Sequence, residues 1–527
     1  MITLPHRVAF WLGILAVTVG VTLHLPMYVQ SRDMDYMMVG MAVDAPMKLG
    51  MALILTGLAL TVYGLVPRSR PHSDRLAGIK VQALDEAPIR RGHVLLLLVM
   101  AAAVTIDVMK PTTLAFVLPG MTEEYGLRSP LNPAGRIPAA WLPLCALTGM
   151  TLGSLFWGSL ADRIGRRSSI LLAGVIFIGT SICGAMPGFR WNLLMCFLMG
   201  AAVGGMLPIA FALLAETIPA RHRSWLMVLI GGDIAGAYIV TSFLASILEP
   251  RFGWRVMWLI GLPTGVLFIL LGRWIPESPR FLLSAGRVAE AESVMQRFGA
   301  RLVRGDDPPP SPEGRGSFRE LFGRPLGGLT VGIALFAVGW GLVNNGFLLW
   351  LPTNLRNLGL DARASDRLLA DSALIGFPAV VLVALLYGFW SSRRTMVVCA
   401  AVNAATLATF AALGSRVGAQ PVLLRVLIVL LLVSTGAMLA TLTPYSSEVY
   451  PTRIRGRGTG LGGMCARGGG LLGVGIVVLG VAPPSLTGAA LLGLAPVTLA
   501  ALVIGRFGLE TRRRRLEEIT AAQLVGA

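Results

Sequence analysis

The sequence is poor in lysine, in charge and in organised cysteine. Lys48, Lys80 and Lys110 are its only lysines among 45 basic residues, a bias that reads as that of a GC-rich bacterial genome. A lysine inside an apolar run is therefore conspicuous. Charged residues make up 14% of the 527 positions and hydrophobic ones 55%. Soluble domains carry about 25% charge, so a soluble globular protein is excluded. Cys145, Cys183, Cys196, Cys399 and Cys465 all fall in apolar stretches and never form a C-x-x-C pair. That argues against a disulfide framework or a thiolate metal site, and the five read as small buried hydrophobes. No phosphate-binding G-x-x-x-x-G-K-[ST] loop, nucleophile–base pair or metal-ligand spacing occurs. These absences speak against an enzyme, direct use of ATP, a cofactor or a resident metal.

What the chain has is long apolar runs. Fourteen blocks approach the roughly 20 residues needed to cross a bilayer. They lie near 8–28, 46–66, 94–119, 139–161, 168–188, 192–216, 225–247, 255–275, 326–351, 369–391, 395–413, 422–444, 457–482 and 486–505. The expected fold class is all-α, a polytopic membrane protein in contact with lipid. The run from Phe10 to Leu25 behind Arg7 resembles a secretory leader. His24, Pro26 and Tyr28 stand where a small-residue cleavage site belongs, so it reads as a retained span. Glycines such as Gly460, Gly462, Gly463, Gly468, Gly469 and Gly470 are expected to let helix backbones approach closely.

The net charge of +18 sits in short loops between the blocks. Arg68, Arg70, Arg75, Lys80, Arg90 and Arg91 fill one; Arg163, Arg166 and Arg167 another; Arg221 and Arg223 a third. Arg393 and Arg394, then Arg453, Arg455 and Arg457, then Arg512 to Arg515 continue the series. These are alternate loops, so they share one side, the cytoplasmic one. Both termini are then cytoplasmic, in the inner membrane of a bacterium. No basic stripe alternates with aromatics, so nucleic acid is not an expected partner. The polar stretch 276–325, with Pro308, Pro309, Pro310 and Pro312, divides the last twelve spans six and six. The expected division is a two-helix hairpin at 1–66, a cytoplasmic linker at 67–93 and a six-helix bundle at 94–275. A central cytoplasmic loop at 276–325, a second bundle at 326–505 and a tail at 506–527 complete it.

The two bundles carry matching signals. Glu216-Thr-Ile-Pro219-Ala-Arg221-His-Arg223 recurs 232 positions later as Glu448-Val-Tyr-Pro451-Thr-Arg453-Ile-Arg455. Gly158 through Asp162-Arg163 pairs with Gly388 through Ser392-Arg393 at an offset of 230, and Glu277 with Glu510 at 233. Three pairs at nearly one offset read as a duplicated half, an arrangement that secondary transporters exploit.

Gly158-Ser-Leu-Ala-Asp162-Arg163-Ile-Gly165-Arg166-Arg167 resembles the signature loop of the major facilitator superfamily. Pro276-Glu277-Ser278-Pro279-Arg280 with Gly286-Arg287, and Glu510-Thr511-Arg512 with Leu516-Glu517-Glu518, resemble marks of its metabolite and organic-ion branch. That branch holds sugar porters, aromatic-acid symporters, niacin-type transporters, organic ion carriers and synaptic-vesicle-protein-like members. The resemblance covers about 94–520. It implies two six-helix bundles, here with two extra N-terminal helices, and transport by alternating access. It also implies a cytoplasmic latch of Gly158, Asp162, Arg163, Gly165, Arg166, Arg167, Glu216, Arg221, Glu448, Arg453, Glu277, Arg280 and Glu510, which pairs in one conformation and parts in the other. The chain departs from the pattern in places. Cys196 stands where many relatives have an arginine associated with proton coupling, and Ser391 and Ser392 leave the second signature loop without its acid. The seventh core helix reads Trp340-Gly-Leu-Val-Asn344-Asn345 and lacks a sugar-porter glutamine motif.

Charges in mid-span cost at least about 2.5–3.5 kcal/mol each on insertion scales and mark candidate sites. Asp107 and Lys110 share a helix face at i, i+3, close enough to pair, ahead of a loosening Pro111. Asp233 and Arg467 lie in the fifth and eleventh core helices, which the resemblance implies line the central cavity. One reading makes Lys110 and Arg467 a carboxylate clamp, with Asp107 or Asp233 carrying the proton and Asn344, Asn345, Trp340 and Tyr238 adding contacts. The other makes Asp107 and Lys110 a neutralised structural pair. In the hairpin, Met27, Met34, Met37, Met38, Met41, Met47 and Met51 surround Asp33, Asp35 and Asp44. Packing on the core, or association with a partner or a second copy, is favoured there over soft-metal binding. The expected function is proton-coupled uptake of a small organic anion, with the small solute and protons as partners. An organic-cation or drug exporter, a sugar-type porter and a non-transporting receptor are the rivals.

Overall fold

The apolar blocks fold as helices because a chain in hydrocarbon must satisfy its backbone N–H and C=O groups within itself. The computed structural model describes residues 6–66, 79–80, 88–232, 234–284, 286–300, 303–304, 318–323, 326–450, 452–480 and 485–511. In chain order its helices open with α1 (Arg7–Thr22), α2 (Leu25–Gln30), α3 (Ala45–Leu65), α4 (Arg91–Tyr125), α5 (Trp141–Ile164), α6 (Arg166–Thr180) and α7 (Phe189–Thr217). There follow α8 (Ala220–Gly231), α9 (Ile234–Phe252), α10 (Val256–Leu259), α11 (Gly261–Leu271), α12 (Pro279–Ser284) and α13 (Val288–Arg297). The second half brings α14 (Gly327–Leu342), α15 (Leu351–Asn357), α16 (Ala362–Leu385), α17 (Ser392–Leu413), α18 (Pro421–Val449), α19 (Thr452–Val478) and α20 (Leu486–Phe507). The expected all-α class holds but for a two-residue antiparallel pair, Ile79 opposite Arg304 and Lys80 opposite Val303. Among the described residues twelve helical stretches are long and apolar enough to cross a membrane. The other two expected blocks are α5 and the broken segment α10–α11. Pro263, which has no N–H to offer the Leu259 carbonyl, explains that break.

The chain divides into two compact units. One comprises Met1–Thr113, Cys145–Arg223 and Ile247–Pro309; the other comprises Leu114–Leu144, Ser224–Ser246 and Pro310–Ala527. The boundaries run through α4, α5, α8 and α9 and, at Pro309/Pro310, through the central polar stretch.

Glycine seams build the first unit. A Cβ on Gly57 would stand 2.7 Å from the Gly13 carbonyl, and one on Gly20 2.6 Å from the Gly50 carbonyl, so α1 and α3 touch backbone to backbone. Gly149 and Gly153 of α5 meet the Phe197 and Ala201 carbonyls of α7, while Gly200 and Gly204 return the contact to Ala146 and Met150. In lipid, where apolar side chains gain nothing by hiding from hydrocarbon, such close approach supplies the association. The hairpin packs on α6, with Gly179 facing Val17 and Ile54. Helix α6 is apolar on every side and buried along its length, and a helix of that kind requires cover all round. At the far end of the hairpin the Tyr28 hydroxyl donates to the Phe252 carbonyl at 2.7 Å, and Tyr36 stacks on Tyr28. Met27, Met38 and Met47 are buried as packing side chains, Met34 and Met37 are exposed, and Asp44 caps α3 through the Met47 N–H.

In the second unit α14 and α19 form a further seam, Gly341 against the Ala466 carbonyl and Gly469 against that of Val338. The expectation for the glycine cluster of α19 holds only in part. Gly460, Gly463 and Gly468 meet nothing within 4 Å. They share one face of the helix, and that face is open. Alanine at seam positions, Gly57→Ala or Gly469→Ala, is expected to cost about 1–3 kcal/mol by overpacking. Gly460→Ala is expected to be neutral or to gain up to about 1 kcal/mol. Thermal unfolding followed by tryptophan fluorescence in detergent checks this; equal midpoints for the three variants would contradict the seam assignment.

Candidate functional site

Asp107 and Lys110 lie on α4 in the first unit, and the expected pair between them is not made. Asp107 is fully buried and neither carboxylate oxygen has a hydrogen-bond partner. Lys110 sends its ammonium to the Phe177 carbonyl in the last turn of α6, at 3.3 Å, with the Phe177 ring centroid 5.9 Å away. Cations are favoured at a helix C-terminus, and a neutral carbonyl there has outcompeted the acid on Lys110's own helix. Spacing had fixed the shared face but not the direction of a four-carbon stem. Pro111 is accommodated in a continuous α4 and leaves the Asp107 carbonyl without its i+4 donor. Cys196 is buried on α7, and nearby Cys183 donates to Asn192 Oδ1 at 2.9 Å.

Arg467 projects from the open glycine face of α19. At 100° per residue, Gly460, Gly463, Gly468 and Gly475 flank it, and none of these glycines meets an atom within 4 Å. On the other side of α19, across the seam, α14 ends in a π turn, Val343–Phe347, that holds Asn344 and Asn345 and meets α19 at Gly473. Such widened turns recur at functional sites. The Asn345 amide donates to the Gly341 carbonyl at 3.2 Å. Trp340, Asn344 and Asn345 lie at the C-terminal end of α14, while Arg467 lies on the face of α19 turned away from the seam; all four are partly buried. Tyr238 is not among them. It packs on Phe116 with ring centroids 5.6 Å apart, and its hydroxyl is buried without a partner. Asp233 and the side chains of Gly158, Asp162, Glu216, Arg221, Arg280 and Arg453 lie outside the described residues.

The residues expected to form a latch, where described, show how helices α6 and α17 begin. Glu277 Oε1 accepts from the N–H groups of Arg166 (2.8 Å), Arg167 (3.2 Å) and Ser278 (3.0 Å). The carboxylate so takes up first-turn donors of α6 and meets the positive end of its dipole. Arg167 reaches on to the Gly272 carbonyl with Nε and Nη2 at 3.1 and 2.9 Å. Gly165 sits at φ +96°, and a Cβ there would strike the Glu277 carboxylate, so only glycine fits. Burial pushes the Glu277 carboxyl up, opposed by the three backbone donors and Arg167. Arg163 is exposed at the end of α5.

Glu510 does the same for α17. Its carboxylate accepts from the Ser392 N–H (3.0 Å), the Ser392 hydroxyl (2.8 Å) and the Ser391 hydroxyl, while Arg393 donates to the Gly505 carbonyl. Glu448 accepts from Tyr387 and Thr511 at 3.0 and 2.6 Å. This geometry corrects the pairing of the halves. Arg166 corresponds to Ser392 and Arg167 to Arg393, an offset of 226, so Gly388 and not Ser392 falls opposite Asp162. Two features escaped the sequence reading. The widened turns, Val343–Phe347 and Leu386–Trp390, carry no compositional signal. Asp366, fully buried and 3.7 Å from Arg356, was passed over because α16 begins seven residues before the apolar block does.

A family profile for the Major Facilitator Superfamily matches residues 95–474. The chain belongs to the Major Facilitator Superfamily. Relatives within it include the niacin transporter NiaP of Acinetobacter baylyi, 26% identical over 407 residues, covering 74% of this chain and 88% of the relative. The 4-hydroxybenzoate transporter PcaK of Acinetobacter baylyi is 28% identical over 430 residues, covering 78% and 91%. A gallate transporter of Pseudomonas putida is 27% identical over 458 residues, covering 83% and 96%. Among solved structures, the proton:xylose symporter XylE bound to 6-bromo-6-deoxy-D-glucose aligns with a TM-score of 0.63 at 19% identity, over 82% of this chain and 99% of that one. Partially occluded inward-open XylE from E. coli gives 0.64 at 17%, over 81% and 100%. That likeness establishes the major facilitator fold. The chain is accordingly a multi-pass membrane transporter and not an enzyme, and its hairpin precedes the matched region.

The two carboxylate caps differ in one respect that can be measured. Glu277→Ala strips α6 of its carboxylate cap and is expected to cost about 1–3 kcal/mol. Glu510→Ala is expected to cost less, because the Ser391 hydroxyl still accepts from the Arg394 N–H at 3.0 Å and caps α17. Thermal midpoints of the two variants decide it, and a larger loss for Glu510→Ala would reverse the argument.

Proposed function

We propose that this transporter takes up a small organic carboxylate together with a proton across a bacterial inner membrane, with both termini in the cytoplasm. The observation that carries the reading is Asp107, a fully buried acid in a membrane span whose oxygens meet no donor. A carboxylate in that setting is costly unless it holds a proton, and an acid that must be protonated in one conformation is suited to carry the proton between two. Arg467 is the proposed anion ligand. An arginine in mid-span is costly against lipid and marks a pathway by default; its open glycine face leaves room for a solute beside the guanidinium. Lys110 is assigned no contact with the anion, because its ammonium is already engaged by the Phe177 carbonyl. Relatives named for niacin, 4-hydroxybenzoate and gallate all take their names from carboxylated aromatic rings, and such acids form the first panel to test. The carboxylate caps at Glu277 and Glu510 serve in this reading as parts of the cytoplasmic latch, with Asp162 its acid in the signature loop.

Pyranine-loaded proteoliposomes report the coupling directly. Addition of a carboxylate substrate is expected to acidify the lumen. Asp107→Asn is expected to abolish acidification while retaining substrate exchange, and Arg467→Ala to weaken carboxylate affinity about ten-fold or more. Acidification that survives Asp107→Asn would dismiss the proton role. A response to organic cations in place of carboxylates would turn Asp107 into a substrate ligand and favour the exporter reading.

A further inference from the structure

We propose that Lys110 is a standby counter-ion for Asp107, parked on the Phe177 carbonyl while Asp107 holds its proton and transferred to the carboxylate when the proton leaves. This rests on the reading of Asp107 as the proton carrier and adds the group that makes its ionised form tolerable. Asp107 and Lys110 are one turn apart on the same face of α4, both buried, and each lacks an ionic partner. An acid with no donor and an ammonium with a single neutral acceptor, so placed, form an unfinished pair. The missing event is loss of one proton.

The parking place is built for the purpose by a neighbouring position. The ammonium occupies space beside Gly261, at the start of α11, where a Cβ would collide with Nζ. Any other residue at 261 would therefore evict it. Its stem is flexible, so Nζ can leave the Phe177 carbonyl without movement of α4. The proton balance is simple: the Asp107 carboxyl releases one proton to water, Lys110 keeps its three, and none passes between them. The other titratable groups facing the ammonium are thiols. The turn after α6 brings Cys183 toward it, with Cys196 of α7 behind. Cys183 is held as a hydrogen-bond donor by Asn192. Among the described residues no ionisable group yet acts on Asp107, and Lys110 is the cation placed one turn away on the same face. No thiol in this arrangement can replace the cation.

The test uses the full-length transporter in liposomes without substrate, and follows the protonated carboxyl stretch of Asp107 by infrared difference spectroscopy across pH. Asp107→Asn identifies the band. In Lys110→Met the band is expected to persist to a pH about one unit or more higher, because the counter-ion is gone. In Gly261→Ala, which drives the ammonium from its seat toward Asp107, the band is expected to disappear at a pH lower by a similar amount. Unchanged midpoints in both variants would overturn the proposal, even with a loss of thermal stability, since a purely structural lysine would give that result. If Lys110→Met does not insert, Gly261→Ala alone decides through the sign of its shift. A wild-type band that never titrates would instead remove the underlying reading of Asp107, an outcome distinct from unshifted midpoints.

Discussion

Two helices in hydrocarbon have no reason to hide apolar side chains from their surroundings, so they hold together where their backbones can meet. Everything else in this protein depends on the places where glycine permits that meeting. The α1/α3, α5/α7 and α14/α19 seams set the helices at distances that no side chain would allow. The same residue type does the opposite on the far side of α19. There, glycines with nothing against them clear a smooth face around Arg467. Contact and vacancy are both obtained by omitting a side chain, and only the phase of the helix relative to its neighbour tells them apart.

Charge is the second constraint, and each buried charge meets it differently. Glu277 is held by peptide N–H groups at the start of a helix, and Lys110 by a carbonyl near the end of the same one. Helix α6 is thus capped by opposite charges at its two ends, in the sense its dipole favours. Asp366 has Arg356. Asp107 alone of these has neither a hydrogen-bond donor nor an opposite charge within ion-pair distance. In the second half the acid cap is kept but its surroundings change, with serine hydroxyls around Glu510 where peptide donors and an arginine surround Glu277. The duplicated halves have preserved a geometry while exchanging part of its chemistry.

Much of this was legible beforehand. The positions of twelve spans follow from apolar length, the duplication from the repeated E-x-x-P-x-R-x-R run, and the superfamily from the signature loop. The failures have specific causes. Spacing of i, i+3 places Asp107 and Lys110 on a face but cannot say which acceptor a long side chain prefers. Constant-offset counting paired Ser392 with Asp162, because it ignores a loop that differs between the halves. Hydropathy blocks start where apolar residues start, so Asp366 fell outside the block at 369–391 although it lies inside α16. Glycine density on α19 was visible, but its division between a packed and an open face needed the position of α14.

The cover that α1 and α3 give to α6 also bears on how the molecule is made. The hairpin precedes the core spans in the chain and closes on itself through its own glycines, so it is synthesised before them and pairs without them. When α6 later leaves the insertion machinery, one of its walls is already assembled and waiting. The hairpin then serves as a template on the cell's assembly line, and a truncated chain that starts at the core would deliver α6 to the bilayer with that wall missing.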